Sequence, residues 1–148
     1  MRGLIVLLLC GVVWLPLTHA QEAPLRVDGA ITINAWQAKR LYDYGVLFID
    51  VRPLREWGWG HVRGAVHLDL ADRFGALAMP HWPRQIPLVI YCESEVCLRS
   101  ALAAHLAVSW GYRQVFYFRS GYFAWQLLDY PLAKGVETDV AALSAEDP

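Results

Sequence analysis

The fold is decided by residues 87–111, which read PLVIYCESEVCLRSALAAHLAVSWG. The first five residues are apolar and rich in β-branched and aromatic side chains, as in a buried strand. Residues 100–110 carry apolar side chains at helical spacing and precede Gly111, which can end a helix. Cys92 and Cys97 lie between the two segments. A thiol there meets unpaired backbone N–H groups and the positive end of a helix dipole, which both favour the reactive thiolate.

Strand and helix patterns alternate through the rest of the chain. Further strands are predicted at 46–49, 66–68 and 115–118, and further helices at 34–44, capped by Asn34, and at 122–128. Such alternation is typical of a mostly parallel sheet, whose functional sites lie at the carboxyl ends of its strands. Asp50 and Cys92 both occupy such ends.

The amino terminus has the pattern of a signal peptide. Arg2 precedes an uncharged apolar run, residues 4–15, which is too short to span a bilayer comfortably. Ala20 offers a small residue for cleavage before a polar segment. We therefore expect residues 1–20, with Cys10, to be removed and the protein to be periplasmic or secreted, without a stable membrane anchor. An uncleaved anchor is the alternative.

The remaining chain is long enough for one compact domain. We predict a lead-in over residues 21–30, a domain over 31–132 and a flexible tail over 133–148. The net charge of −1 gives no basic surface for nucleic acid. No heptad or repeat pattern is evident, so a monomer is expected. Seven tryptophans and seven tyrosines indicate an aromatic core, in which the tryptophans at 57, 59, 82 and 110 are expected to pack.

Short blocks of sequence, in a fixed order, match one known family. The blocks are FIDVRP at 48–53, EW at 56–57, GHVRGAVHL at 60–68, YC at 91–92, RS at 99–100, GY at 111–112, and Gly121 with AW at 124–125. The chain therefore resembles a single-domain rhodanese, a sulfurtransferase-type domain, over about residues 31–132. The resemblance implies an α/β fold with a five-stranded parallel sheet flanked by helices.

The same resemblance implies roles for individual residues. Cys92 would take up sulfur as a persulfide, and Arg99 would close the anion-binding loop. The other residues of that substrate-binding loop are Glu93, Ser94, Glu95, Val96, Cys97, Leu98 and Ser100. Five residues match the family's shared framework and are expected to hold loops by hydrogen bonds and packing: Asp50, Arg52, Glu56, His61 and Trp125.

The loop departs from the family pattern. Residues 93–98 separate Cys92 from Arg99, two more than in a typical rhodanese and one more than in the related dual-specificity phosphatases. Glu93 and Glu95 stand where small and basic residues are usual. If they lie near the sulfur, they disfavour the thiolate and repel an anionic donor, so that thiosulfate turnover should be poor. If both point into solvent, they have little effect.

Cys97 makes the chain similar to an exported subset of rhodanese-like proteins with a second loop cysteine. It can act as a resolving thiol that attacks a persulfide or mixed disulfide on Cys92. Alternatively, a static disulfide stiffens the loop. With two thiols and no adjacent histidine, neither a metal site nor a cofactor is expected.

These patterns favour an exported rhodanese-like sulfurtransferase or thiol-redox protein, with catalytic Cys92, Cys97 and Arg99. Its partners would be a small sulfur-containing donor and a thiol acceptor. The alternative is a non-catalytic module that binds a small anion or a partner while the two cysteines stay locked as a structural disulfide. A phosphatase ranks third, because the spacing to Arg99 is too long and no acidic catalytic partner is evident.

Overall fold

A computed structural model describes residues 21–135 of the chain. Its strands are β1 Ile31–Ile33, β2 Leu47–Asp50, β3 His61–Val62, β4 Val66–His67, β5 Leu88–Tyr91, β6 Val115–Phe118 and β7 Leu132–Ala133. Its helices are α1 Ala35–Asp43, α2 Leu54–Trp59, α3 Arg99–Ser109 and α4 Gly121–Leu127, with a 3₁₀ helix at Phe74–Ala78. The predicted signal peptide and residues 136–148 of the predicted tail lie outside the described residues.

Five strands form one parallel sheet in the order β1-β6-β5-β2-β4. The predicted five-stranded parallel sheet flanked by helices is confirmed. β5 lies at its centre, and all four of its residues are buried. An unbroken apolar run is what a strand covered on both faces requires. The strands β3 and β7 form a separate antiparallel pair, in which His61 lies opposite Ala133.

Alternate residues of β5 contact the helices on opposite faces of the sheet. Leu88 and Ile90 belong to a cluster built with the alanines of α3, whereas Val89 and Tyr91 belong to a cluster built with α1 and α4. Trp125 of α4 is fully buried in the second cluster. The two-residue period of the strand therefore places the strand between two helical layers.

The helix α1 begins where the sequence predicts it. The side chain of Asn34 accepts a hydrogen bond from the Gln37 amide, and the Gln37 side chain accepts one from the Asn34 amide, both at 2.9 Å. This reciprocal cap satisfies two backbone donors that the first turn would otherwise leave without partners.

The segment before β1 packs against the body of the domain. Ala23 is buried, and its amide donates a hydrogen bond to the Glu95 carbonyl at 2.6 Å. Arg119 donates from Nε to the Ala23 carbonyl at 3.0 Å. The predicted lead-in is thus attached to the loop that carries the cysteines.

One of the four tryptophans predicted to pack in the core is exposed. Trp59 is 62% exposed, whereas Trp57, two residues earlier on the same helix, is buried. The prediction that Trp59 packs in the core is therefore wrong. Within residues 21–135, none of the helices is both long and apolar enough to cross a membrane.

Candidate functional site

The carboxyl ends of three adjacent strands define the site. Asp50 at the end of β2 lies opposite Tyr91 at the end of β5, and Tyr91 lies opposite Phe118 at the end of β6. Cys92 follows β5 directly, and residues 93–98 connect it to α3. The topology therefore places the loop at the edge of the sheet where open α/β sheets bind ligands.

Cys92 and Cys97 form a disulfide within this loop. Their Cα atoms are 6.3 Å apart, a separation usual for bridged cysteines. Cys92 is fully buried, and Cys97 is 5% exposed. The structure therefore brings together the two cysteines in their oxidised state, in which neither offers a thiolate.

Glu93 lies beside the disulfide. Its Oε2 is 2.8 Å from Cys92 Sγ and 3.9 Å from a guanidinium nitrogen of Arg99. The Arg99 side chain is 42% exposed. Glu95, in contrast, is exposed. Of the two acidic residues in the loop, only Glu93 thus places its charge next to the sulfur.

The start of α4 forms hydrogen bonds with the loop. The amides of Tyr122 and Phe123 donate hydrogen bonds to the carbonyls of Cys92 and Glu93 at 2.8 and 2.9 Å. Gly121 has a φ of +58°, and a Cβ at this position would collide with the Cys92 carbonyl oxygen. Only glycine allows this close approach without displacing the loop.

A buried ion pair supports the site. Arg52 donates from Nε to Asp50 Oδ1 at 3.0 Å and from a terminal nitrogen to Oδ2 at 2.6 Å. The same terminal nitrogen donates to the Gly60 carbonyl at 2.7 Å. Burial lowers the pKa of Arg52, but the hydrogen bond and charge of Asp50 outweigh this effect and raise it. Arg52 also lies over the Tyr122 ring, 4.3 Å from its centre.

Two of the other framework residues have structural contacts. His61 stacks on Trp57 with ring centres 3.4 Å apart, and its Nδ1 lies 3.0 Å from the Trp57 carbonyl. Burial lowers the pKa of His61, although this hydrogen bond opposes the shift. Trp125 donates from Nε1 to the Pro131 carbonyl at 2.9 Å.

The remaining framework residue, Glu56, faces the site. It lies in a cleft of about 410 Å³ together with Glu93. Burial raises the pKa of Glu56, and the nearby charge of Glu93 raises it further. The residues that line the cleft are Arg52, Glu56, Trp59, Glu93, Ser94, Val96, Tyr122, Phe123 and Gln126.

A second cavity of about 370 Å³ lies beside Cys97. It is lined by Glu93, Val96, Cys97, Leu98 and Arg99. Ser100, the last residue of the predicted loop, is fully buried, and its hydroxyl has no hydrogen-bond partner among residues 21–135.

Sequence reasoning missed four residues of the cleft. It places Trp59 in the core, and Tyr122, Phe123 and Gln126 only in a helix. The signal for Tyr122 and Phe123 is their position directly after Gly121, since a glycine at the start of a helix that follows a strand indicates close packing of backbones.

Three side chains of the loop carry atoms of the type that binds metal ions. Potential ligand atoms of Cys92, Glu93 and Cys97 lie within 4.8 Å of one another. Metal coordination by cysteine requires the thiolate. Because the two sulfur atoms are bonded to each other, this cluster can act as a ligand set only after reduction.

Solved structures of other proteins share the fold. The rhodanese-like domain of an Anabaena protein has a TM-score of 0.62 and 21% identity, over 79% of this chain and 88% of that one. The polysulfide-sulfur transferase from Wolinella succinogenes has a TM-score of 0.60 and 19% identity, over 74% and 82%.

Two curated relatives share 32% identity with the chain. One is an HTH-type transcriptional regulator of Mycobacterium tuberculosis, matched over 61% of this chain, which spans only 38% of the regulator's length. The other is rhodanese-like domain-containing protein 17 of Arabidopsis thaliana, matched over 69% of this chain and 72% of that protein. The family model for the rhodanese-like domain matches residues 34–128, and the chain therefore belongs to the rhodanese-like family.

Proposed function

We propose that the chain is an exported sulfurtransferase of the thiol-redox type, in which Cys92 accepts sulfane sulfur and Cys97 resolves the resulting persulfide. The observation that carries this proposal is the disulfide between the two cysteines in the loop between β5 and α3. It is the product that a resolving reaction would leave.

The first step loads sulfur onto the reduced protein. The Cys92 thiolate attacks the sulfane sulfur of the donor and forms a persulfide. The donor's sulfur–sulfur bond breaks, and its electron pair departs with the leaving group, which is sulfite from thiosulfate or a shortened chain from polysulfide.

The second step releases the sulfur. The Cys97 thiolate attacks Cys92 Sγ, the disulfide forms, and the persulfide bond breaks with its electron pair on the departing hydrosulfide. The two cysteines are oxidised and the sulfane sulfur is reduced. External thiol groups, two per disulfide, must then supply two electrons to restore the thiols.

The negative charge of Glu93 affects which sulfur donors can react at Cys92. A carboxylate 2.8 Å from Cys92 Sγ opposes both a thiolate at that sulfur and an approaching dianion. Arg99 offsets this effect only in part, because it lies 3.9 Å from the same carboxylate and is 42% exposed. Slow turnover with thiosulfate follows. The shared fold with a polysulfide-sulfur transferase makes polysulfide the first alternative donor to test.

The second candidate is a binding module with a static disulfide. The burial of Cys92 favours it, because no reactant reaches that sulfur in the oxidised loop. In this case the cleft beside Glu56 binds its ligand equally well before and after treatment with reductant.

Two measurements test the proposal. Thiol titration of the native protein should detect no thiol before reductant and both loop thiols after it. The reduced Cys97→Ser variant, treated with polysulfide and alkylated, should then gain one sulfur atom by intact mass, whereas reduced Cys92→Ser should gain none. A disulfide that resists reductant in the native state would contradict the proposal, as would equal sulfur uptake by the two variants.

A further inference from the structure

Exposed apolar walls surround the cleft next to the disulfide. The side chains of Trp59, Val96 and Phe123 line it and are 62%, 54% and 56% exposed. Single exposed apolar residues are common, whereas several around one concavity indicate a binding surface. The volume of about 410 Å³ falls in the range of ligand pockets and suits a few side chains.

Two shared residues connect this cleft to the cavity beside Cys97. Glu93 and Val96 line both concavities, and Cys97 lines the second. Cys92 is fully buried behind them. A thiol that attacks the disulfide therefore reaches Cys97, while its neighbouring side chains can lie in the cleft.

The charges on the cleft floor disfavour an acidic occupant. Glu56 and Glu93 both face the cleft, and their mutual repulsion contributes to the raised pKa of Glu56. Arg52 also faces it, but its charge is compensated by the buried carboxylate of Asp50.

Two further cations lie near lining residues of the cleft. Arg99 lies 3.9 Å from the carboxylate of Glu93, so each compensates part of the other's charge. The guanidinium of Arg55 keeps its charge and lies 4.7 Å from the centre of the Trp59 ring. Glu56, which forms no ion pair among residues 21–135, is thus the carboxylate of the cleft that remains uncompensated.

Building on the proposed function, we infer that this cleft docks the protein thiol that reduces the disulfide, through a cysteine with an apolar neighbour and without adjacent carboxylates. The apolar neighbour lies between Trp59 and Phe123, and the thiol enters the cavity at Cys97. The partner is a dithiol protein, which supplies both electrons consumed per sulfur released and whose second thiol resolves the mixed disulfide.

The exchange balances in two steps. The partner's thiolate attacks Cys97 Sγ, which forms a mixed disulfide and releases Cys92 as a thiolate. The partner's second thiolate then attacks the sulfur of the partner's first cysteine, which is bonded to Cys97 in the mixed disulfide, and releases Cys97 as a thiolate. The partner leaves with an internal disulfide, and the protein regains both thiols.

Three acetylated and amidated tripeptides serve as probes: Leu-Cys-Lys, Gly-Cys-Lys and Leu-Cys-Glu. The measured quantity is the rate at which each opens the disulfide, followed by acid quenching and intact mass. Each rate is divided by the rate of the same peptide with a small-molecule disulfide, which removes differences in thiol reactivity. Leu-Cys-Lys should have a normalised rate about tenfold above either of the others.

Variants assign the preference to the cleft. Trp59→Ala and Phe123→Ala should each remove most of the preference for leucine over glycine, and Glu56→Gln should reduce the preference for lysine over glutamate. Trp36→Ala is the matched control, because Trp36 is 60% exposed, lies on α1 away from the cleft and carries the Arg40 guanidinium 5.0 Å from its ring centre. It should retain both preferences.

The outcomes separate this inference from the proposed function. If dithiothreitol fails to open the native disulfide, the proposed function fails. If dithiothreitol opens it but the three peptides have equal normalised rates, the docking inference alone is wrong. Preferences that survive in both Trp59→Ala and Phe123→Ala would also overturn the inference.

Discussion

The carboxylate of Glu93 lies 2.8 Å from the Sγ atom of Cys92. Reduction of the disulfide releases a thiolate next to this charge, which costs about 1 kcal/mol or more of Coulomb repulsion. The same charge therefore resists both opening of the disulfide and loading of sulfur.

Glu93→Gln should accelerate opening of the disulfide by dithiothreitol by about fivefold, since it removes about 1 kcal/mol of repulsion. Rates are measured by alkylation and intact mass. Glu95→Gln is the control, because Glu95 belongs to the same loop but is exposed. Its rate should equal that of the wild type. A slower reaction in Glu93→Gln would mean that this carboxylate assists the exchange.

The buried ion pair provides a prediction on stability. Asp50→Ala leaves the Arg52 guanidinium buried without its carboxylate and should lower the free energy of unfolding by about 3–5 kcal/mol. The surface pair of Lys39 and Asp43 on α1, whose side chains are 27% and 55% exposed, offers a comparison, in which Asp43→Ala should cost about 0.5 kcal/mol or less. Denaturant unfolding measures both. Equal losses in the two variants would contradict the importance of burial.

Gly121 provides a prediction on the contact between α4 and the loop. Gly45→Ala is the reference variant, because Gly45 has a φ of +76° but open space around its Cβ position. It should lower the free energy of unfolding by about 1–2 kcal/mol through backbone strain alone. Gly121→Ala has the same backbone strain and also pushes a Cβ into the Cys92 carbonyl. It should therefore lower the free energy of unfolding by about 1–3 kcal/mol more than Gly45→Ala does. Its disulfide should also open at a changed rate, whereas that of Gly45→Ala should not. Equal stabilities of the two variants would show that the loop yields freely.

His61 makes stability depend on pH. Burial lowers the pKa of His61 below its ordinary value of 6.5, so the unfolded chain binds a proton at a pH where the folded protein does not. This contribution to stability is complete above pH 6.5 and is lost as the pH falls through the lowered pKa of the folded protein. His61→Phe keeps an aromatic ring against Trp57 and should show a weaker loss of stability over this window. Unfolding curves at a series of pH values give the free energy of unfolding of both proteins. The assignment is wrong if this free energy depends on pH equally in His61→Phe and in the wild type.

The central part of the fold is predictable from sequence because local and global signals agree there. The apolar run at 87–91 is a strand buried on both faces, and the helical spacing after the cysteine loop is a helix packed by its alanines. The cap at Asn34 depends on neighbouring residues alone, so it is also readable. The five-stranded parallel sheet as a whole is predicted by the family resemblance, which depends on the order of the matching blocks.

Other features depend on contacts that sequence patterns do not encode. The strand Ile31–Ile33 is only three residues long, with Ile31 58% exposed, so its pairing with β6 rather than its own pattern makes it a strand. Composition indicates an aromatic core but does not tell that Trp57 is buried and Trp59 exposed. Tyr122 reaches the site because its amide binds the Cys92 carbonyl, a tertiary contact.

Hydrosulfide release in a single turnover tests the central claim most directly. Fully reduced protein is mixed with less than one equivalent of polysulfide sulfane sulfur and no other thiol. The wild type should release about one hydrosulfide per persulfide formed and return to the Cys92–Cys97 disulfide. Cys97→Ser should retain the sulfur until an external thiol is added. Equal release by both proteins, or release without formation of the disulfide, would contradict the account.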